Sequence, residues 1–145
     1  MLAATLGEVA AVMQVTRDPW WVIGSAAVAL HGGYPVEVAD VDVLCSANDA
    51  RAVIHRLRLA QITSVSDLLF HSGVFARWDM SPLAVELMAD FHVRREGAWR
   101  RVWPVTRELL TLDVGVVAVP SRAELRELLL TFGREKDLLK ARLLA

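Results

Sequence analysis

The chain has 145 residues, 54% hydrophobic and 23% charged, which is enough apolar material for a sizeable core and excludes a disordered chain. A formal net charge of −1 weighs against a nucleic-acid partner, no apolar run reaches the ~20 residues that span a bilayer, and the first residues lack the basic start of a signal peptide. A cytoplasmic protein is expected, and the lone cysteine, Cys45, excludes an internal disulfide or a cysteine-based zinc site.

In chain order, Leu6, Val9, Ala10 and Met13 recur at helical spacing, predicting a helix over 3–15 that Asp18-Pro19 breaks. Trp20 to Ile23 reads as a strand, and the chain turns at Gly24 into a short helix, Ser25 to His31, ending at Gly32-Gly33. Val38 to Cys45 is a second strand with Cys45 as a packed thiol. Ser46 and Asp49 then have the spacing of a capping box for a helix from Ala47 to about Ala60. No element is assigned to 61–70. Val74–Trp78 and Leu83–Met88 read as strands joined by a turn over Asp79–Pro82. The basic and aromatic segment His92–Leu112 reads as mostly irregular, with a short strand near Val102. A strand over Val114–Val119 follows. A helix opened by Ser121 and Glu124 comes next, then a last helix from Arg134 to Ala145 after Gly133. Together these predict one α/β (α+β) domain over 1–145.

Two stretches carry polar groups where a buried strand would not ordinarily place them. Strand alternation puts Asp40 and Asp42 on one face and Val41 and Val43 on the other. Two anions sharing a patch repel, and burial adds a desolvation term, so the pair needs a cation or a shared proton. Glu86 is a similar anomaly, sharing a face with Ala84 and Met88. If the two strands are neighbours, three carboxylates converge, a donor set suited to Mg²⁺ or Mn²⁺. The competing reading has the carboxylates on an exposed sheet face or capping a loop. Gly24-Ser25, after a strand and fifteen residues before Asp40, could offer backbone N–H groups and a hydroxyl to phosphate. Residues 1–90 hold 5 Lys+Arg against 10 Asp+Glu and residues 91–145 hold 11 against 7, a split of −5 and +4. It fits an acidic half that chelates a cation and a basic half that meets phosphate, and equally ordinary solvated helix faces. The five tryptophans are expected in the core or at an interface, with stacking on a base or acceptor ring as the alternative for one of them.

The order Gly24-Ser25, Asp40-Val41-Asp42, Val85-Glu86-Leu87 resembles the nucleotidyltransferase superfamily related to DNA polymerase β. Gly133-Arg134-Glu135-Lys136-Asp137 is similar to the Gly-Arg-x-Lys-Asp of its antitoxin-type and lincosamide or aminoglycoside members. The resemblance implies a mixed β-sheet with flanking helices, a palm-like core. It also implies transfer of a nucleoside monophosphate from a nucleoside triphosphate (NTP) to a hydroxyl acceptor, a small molecule or a protein, with release of pyrophosphate. On this reading Asp40, Asp42 and Glu86 are catalytic and hold Mg²⁺ or Mn²⁺, and Gly24, Ser25 and Lys136 bind the nucleotide. A homodimer or a toxin-like partner is a further expectation. Many relatives carry an Arg and a Thr or Ser shortly before the Asp pair, where this chain has Val36 and Val38. That departure keeps open a catalytically silent nucleotide-binding or antitoxin-like protein with the same fold.

Overall fold

The computed structural model describes residues 1–145, the side chains of Thr63 and Ser64 excepted. Helix α1 (Leu2–Val12) tightens into a 3-10 turn over Met13–Val15 and is followed by β1 (Trp21–Ile23), α2 (Gly24–Leu30), β2 (Asp40–Cys45) and α3 (Ala47–Leu57). Strands β3 (Ile62–Ser66), β4 (Phe70–Trp78), β5 (Ala84–Arg95) and β6 (Ala98–Arg101) come next. Strands β7 (Glu108–Leu112) and β8 (Gly115–Val119) lead to α4 (Arg122–Phe132) and α5 (Glu135–Leu143).

The main sheet runs β1-β2-β5-β4-β3 with β6 attached to β5, and β7 pairs β8 in a separate ribbon. Strand β2 lies parallel to β5, while β1–β2, β5–β4, β4–β3 and β5–β6 are antiparallel, so the sheet is mixed as expected. Its strands point apolar residues both ways. Val41, Val43, Val85 and Leu87 pack with Leu6 and Val9 of α1 and Val53 of α3 in the larger core, where Cys45 is also buried. On the opposite face Ile23, Leu44, Met88, Phe91 and Phe132 form a second cluster.

The alternation of β5 slips once. Leu87 and Ala89 belong to the first core, but Met88, Phe91 and Val93 all belong to the second. The slip falls at Asp90, whose φ of 50° lies in the left-handed region. It carries Phe91 onto the same face as Glu86.

Several boundaries differ from the sequence reading. Trp20 and Val38 lie outside their strands, which begin at Trp21 and Asp40, and α3 ends at Leu57 because Arg58 turns left-handed (φ 54°). The segment from His92 is not mostly irregular. Strand β5 continues to Arg95, and β6 occupies Ala98–Arg101 just before Val102. Between them Glu96 (φ 52°) and Gly97 (φ 76°) make the two-residue turn whose twist suits a hairpin. Charged side chains on this exposed ribbon hid it from a hydrophobicity pattern.

The serine caps form, yet the reciprocal half of each capping box is redirected. Ser46 Oγ accepts from the Asp49 N–H (3.2 Å), but the Asp49 carboxylate accepts instead from the N–H groups of Arg17 (3.0 Å) and Asp18 (2.8 Å). Ser121 Oγ likewise accepts from the Glu124 N–H (3.1 Å), while the Glu124 carboxylate accepts from the N–H groups of Val105 and Thr106, both at 2.8 Å, and from the Thr106 hydroxyl. Each acid therefore ties a distant loop to a helix start. Among the described residues no helix is long and apolar enough to cross a membrane.

Candidate active site

The parallel pairing of β2 and β5 decides the site. Asp42 stands opposite Glu86 in register, with Asp40 two residues earlier on the same face of β2. One carboxylate oxygen from each of Asp40, Asp42 and Glu86 lies within 4.8 Å of the others. The three anions are only partly exposed, and their proton affinities respond. Burial, then the charges of Asp40 and Glu86, push the Asp42 carboxyl up to about 7. Burial and Asp40 also raise Glu86, against the opposing pull of Arg77. Arg77 projects from β4, where it is the register partner of Glu86, and its Nη1 donates to Glu86 Oε1 at 2.8 Å. Arg77 thus offsets part of the charge, and the pull of Lys140 and Arg134 on Asp42 is outweighed by burial and the neighbouring anions. An all-oxygen set with surplus negative charge fits a hard divalent cation.

Gly24 closes one side. Its φ is +67°, and a Cβ built there would stand 2.7 Å from Asp42 Oδ2. Only glycine allows the β1–α2 turn to approach this carboxylate so closely. Ser25 is buried in the first turn of α2.

Asp42 and Glu86 line a cleft of about 310 Å³, with Arg134 and Lys140 also on its wall. Burial holds the Lys140 ammonium below its usual range, against the pull of Asp137. Arg134 is fixed by Asp137 (Nε to Oδ2 2.6 Å) and lies over the Phe70 ring at 4.8 Å. The rest of the cleft is aromatic: Phe70 stacks on Phe91 (5.4 Å between centroids) and meets Phe132 edge-on (5.0 Å). Lys136, in the first turn of α5, is exposed and does not line the cleft, whereas Lys140, one turn on, does. The Gly-Arg-x-Lys-Asp stretch therefore contributes Arg134 and Asp137 to the wall.

No protein-family model matches this sequence, and no curated protein sequence matches it. Solved structures do. A candidate nucleotidyltransferase, TM1012 from Thermotoga maritima, superimposes with a TM-score of 0.76 at 22% identity, over 95% of this chain and 88% of that one. The fold is that of a nucleotidyltransferase. The same nucleotidyltransferase fold is seen in ANT(2'')-Ia, solved with adenylyl-2''-tobramycin (TM-score 0.59, 11% identity, 98% of this chain and 86% of that one). It is seen again in the lincosamide antibiotic adenylyltransferase LnuA, solved with lincomycin (0.60, 14% identity, 96% and 93%). At these identities the likeness establishes architecture and leaves the chemistry to the residues.

Within this nucleotidyltransferase fold, the departures Val36 and Val38 are partly buried against the larger core and reach it as hydrophobic packing. Sequence reasoning missed Arg77, Lys140 and the phenylalanine wall. Arg77 carried a weak signal, sitting in an expected strand one hairpin away from Glu86. Lys140 carried none beyond helical spacing from Lys136.

Proposed function

We propose that the protein is a metal-dependent nucleotidyltransferase. It moves a nucleoside monophosphate from an NTP to a hydroxyl on a small molecule or protein and releases pyrophosphate. The observation that carries this reading is the convergence of Asp40, Asp42 and Glu86, two of which line a cleft shared with Arg134 and Lys140.

In this reading Asp40, Asp42 and Glu86 hold Mg²⁺ or Mn²⁺. When bound, the cation supplies charge neutralisation and polarisation of phosphoryl oxygens. Gly24 and Ser25 present the β1–α2 turn to the phosphates. Lys140, with Arg134 beside it, offsets the charge of the departing pyrophosphate, and Lys136, exposed one turn before Lys140, adds its charge to the nucleotide from solvent. Glu86, whose proton affinity is raised, accepts the proton of the attacking hydroxyl. The acceptor oxygen bonds to the α-phosphorus as the bond from that phosphorus to the bridging oxygen breaks, and the electron pair leaves with pyrophosphate.

The test is calorimetry with Mn²⁺ and each NTP, followed by pyrophosphate release across a panel of hydroxyl acceptors. Metal-dependent NTP binding that disappears in an Asp40→Asn/Asp42→Asn variant is expected. Binding that is absent, or unchanged in that variant, overturns the reading.

A further inference from the structure

The basic and aromatic segment after His92 takes no part in the chemistry above, and its folded form gives it a role. Register pairs His92 with Arg101 and Arg94 with Trp99, so these four side chains share one face of the β5–β6 ribbon. His71 of β4, the partner of His92, extends the row. The contacts agree: the Trp99 ring lies 5.9 Å from His71 and 5.9 Å from the Arg94 guanidinium. Trp99 is 42% exposed, unusual for a tryptophan with a core available.

The guanidinium groups of this face lie on aromatic rings, Arg94 over Trp99 and Arg101 over Trp103 (4.5 Å), and not on carboxylates. Among the described residues Arg94 and Arg101 form no ion pair, and neither do Arg51 and Arg56 of α3 or Arg58 just beyond it. Arg51 and Arg101 border a common hollow beside Asp90, which joins the two basic regions. The acids nearby are few: Glu96 meets Arg100 (3.4 Å), and Asp90 lies 3.8 Å from His92. The total charge of −1 conceals this because the carboxylates concentrate elsewhere.

We propose that the β5–β6 ribbon, with the arginines of α3, is a binding surface for single-stranded nucleic acid, with Trp99 as a stacking platform and Arg94 and Arg101 as phosphate contacts. Residues two apart on a strand are about 6.6 Å apart, a repeat that an extended polyanion can follow. An exposed ring flanked by cations is how sequence-tolerant single-strand surfaces combine base stacking with backbone contacts. An acidic peptide would satisfy the arginines and leave Trp99 without a planar partner. The inference does not rest on the chemistry of the cleft.

Fluorescence anisotropy with labelled oligo-U and oligo-dT of about 12 nucleotides, at about 50 mM salt, tests this. Both are expected to bind, because neither stacking nor phosphate contact reads the sugar. Arg94→Ala/Arg101→Ala is expected to weaken binding at least about tenfold and to reduce the slope of log K against log salt by about 1.4. Trp99→Ala is expected to lose about tenfold and Trp99→Phe to retain most of the affinity. Heparin, a polyanion without bases, should respond to the arginine pair and not to Trp99→Ala. Asp40→Asn/Asp42→Asn should bind oligonucleotide as the unaltered protein does, so failure here and failure of the transferase reading are distinguishable. Circular dichroism confirms that the surface variants fold. No oligonucleotide binding, binding indifferent to the arginine pair, or equal loss of heparin and oligonucleotide in Trp99→Ala overturns the proposal.

Discussion

Asp49, Asp137 and Glu124 are surrounded by donors, whereas Asp40, Asp42 and Glu86 are surrounded largely by one another. Asp49 is 4% exposed and Asp137 1%, yet each carboxylate receives at least two hydrogen bonds, from the Arg17 and Asp18 N–H groups and from Arg134 respectively. Burial pushes the Glu124 carboxyl up, but the bonds from Thr106 and Val105 outweigh it and hold the group below its usual range. No donor among the described residues reaches Asp42, and burial with two neighbouring anions raises it to about 7. A carboxylate with its donors in place fastens one segment to another. One left without them stores an electrostatic conflict that an added cation relieves, and the contrast separates structural acids from a candidate site within one small molecule.

The largest expected effect breaks the contrast from the active side. Asp42→Asn should reduce nucleotidyl transfer on the order of a thousandfold or to background, and should abolish any rise in Tm on adding Mn²⁺. Without metal the same variant should be more stable than the parent at pH 8. Because the folded protein holds its Asp42 proton up to about 7 and an unfolded aspartate releases it near 3.8, the metal-free protein loses stability as pH rises through that window and is level above it. At about 1.4 kcal/mol per tenfold change in proton affinity the effect is at most about 4 kcal/mol. Thermal melts in chelator between pH 4 and 8 measure it, and a parent flat across that range would remove the electrostatic account of the site.

The structural acids should behave in the opposite sense. Asp49→Ala and Glu124→Ala each strand backbone N–H groups and should lower stability by about 2–3 kcal/mol by urea titration, with Mn²⁺ affinity unchanged. Gly24→Ala lies between the two classes. Its positive φ and the clash with Asp42 Oδ2 should lower stability by about 1–2 kcal/mol and weaken Mn²⁺ binding about tenfold, read by calorimetry. The smallest effect concerns Cys45, a buried thiol raised to about 12, first by desolvation and then by the charge of Asp49. Native protein should resist iodoacetamide at pH 8 and react only on unfolding, as followed by mass spectrometry.

Much of the frame was legible in the amino-acid pattern. The Asp40-Val41-Asp42 alternation identified a strand with one apolar and one acidic face, Gly24 marked the turn before a helix, and Ser46 and Ser121 marked helix starts. The partners of Asp49 and Glu124 were not legible, because a capping-box spacing says where a helix begins and nothing about a loop 15 or more residues away that competes for the same carboxylate. Strand β5 beyond Met88 was hidden by its slip at Asp90, which defeats any period-two reading, and by the charge of its outer half. The aromatic wall was hidden for a related reason: Phe70, Phe91 and Phe132 come from three elements and meet only when β4, β5 and α4 have packed.

The sequence by itself determined that two aspartates share a strand face and that a third carboxylate interrupts the apolar pattern of another strand, because alternation is a local property of extended backbone. Only the tertiary structure decided that the two strands are parallel neighbours with Asp42 opposite Glu86, that Arg77 reaches one of the three anions, and that Lys140 faces the cleft while Lys136 does not. Register and the choice of counter-charge depend on how distant segments bury their apolar faces together, and no short window of residues contains that information.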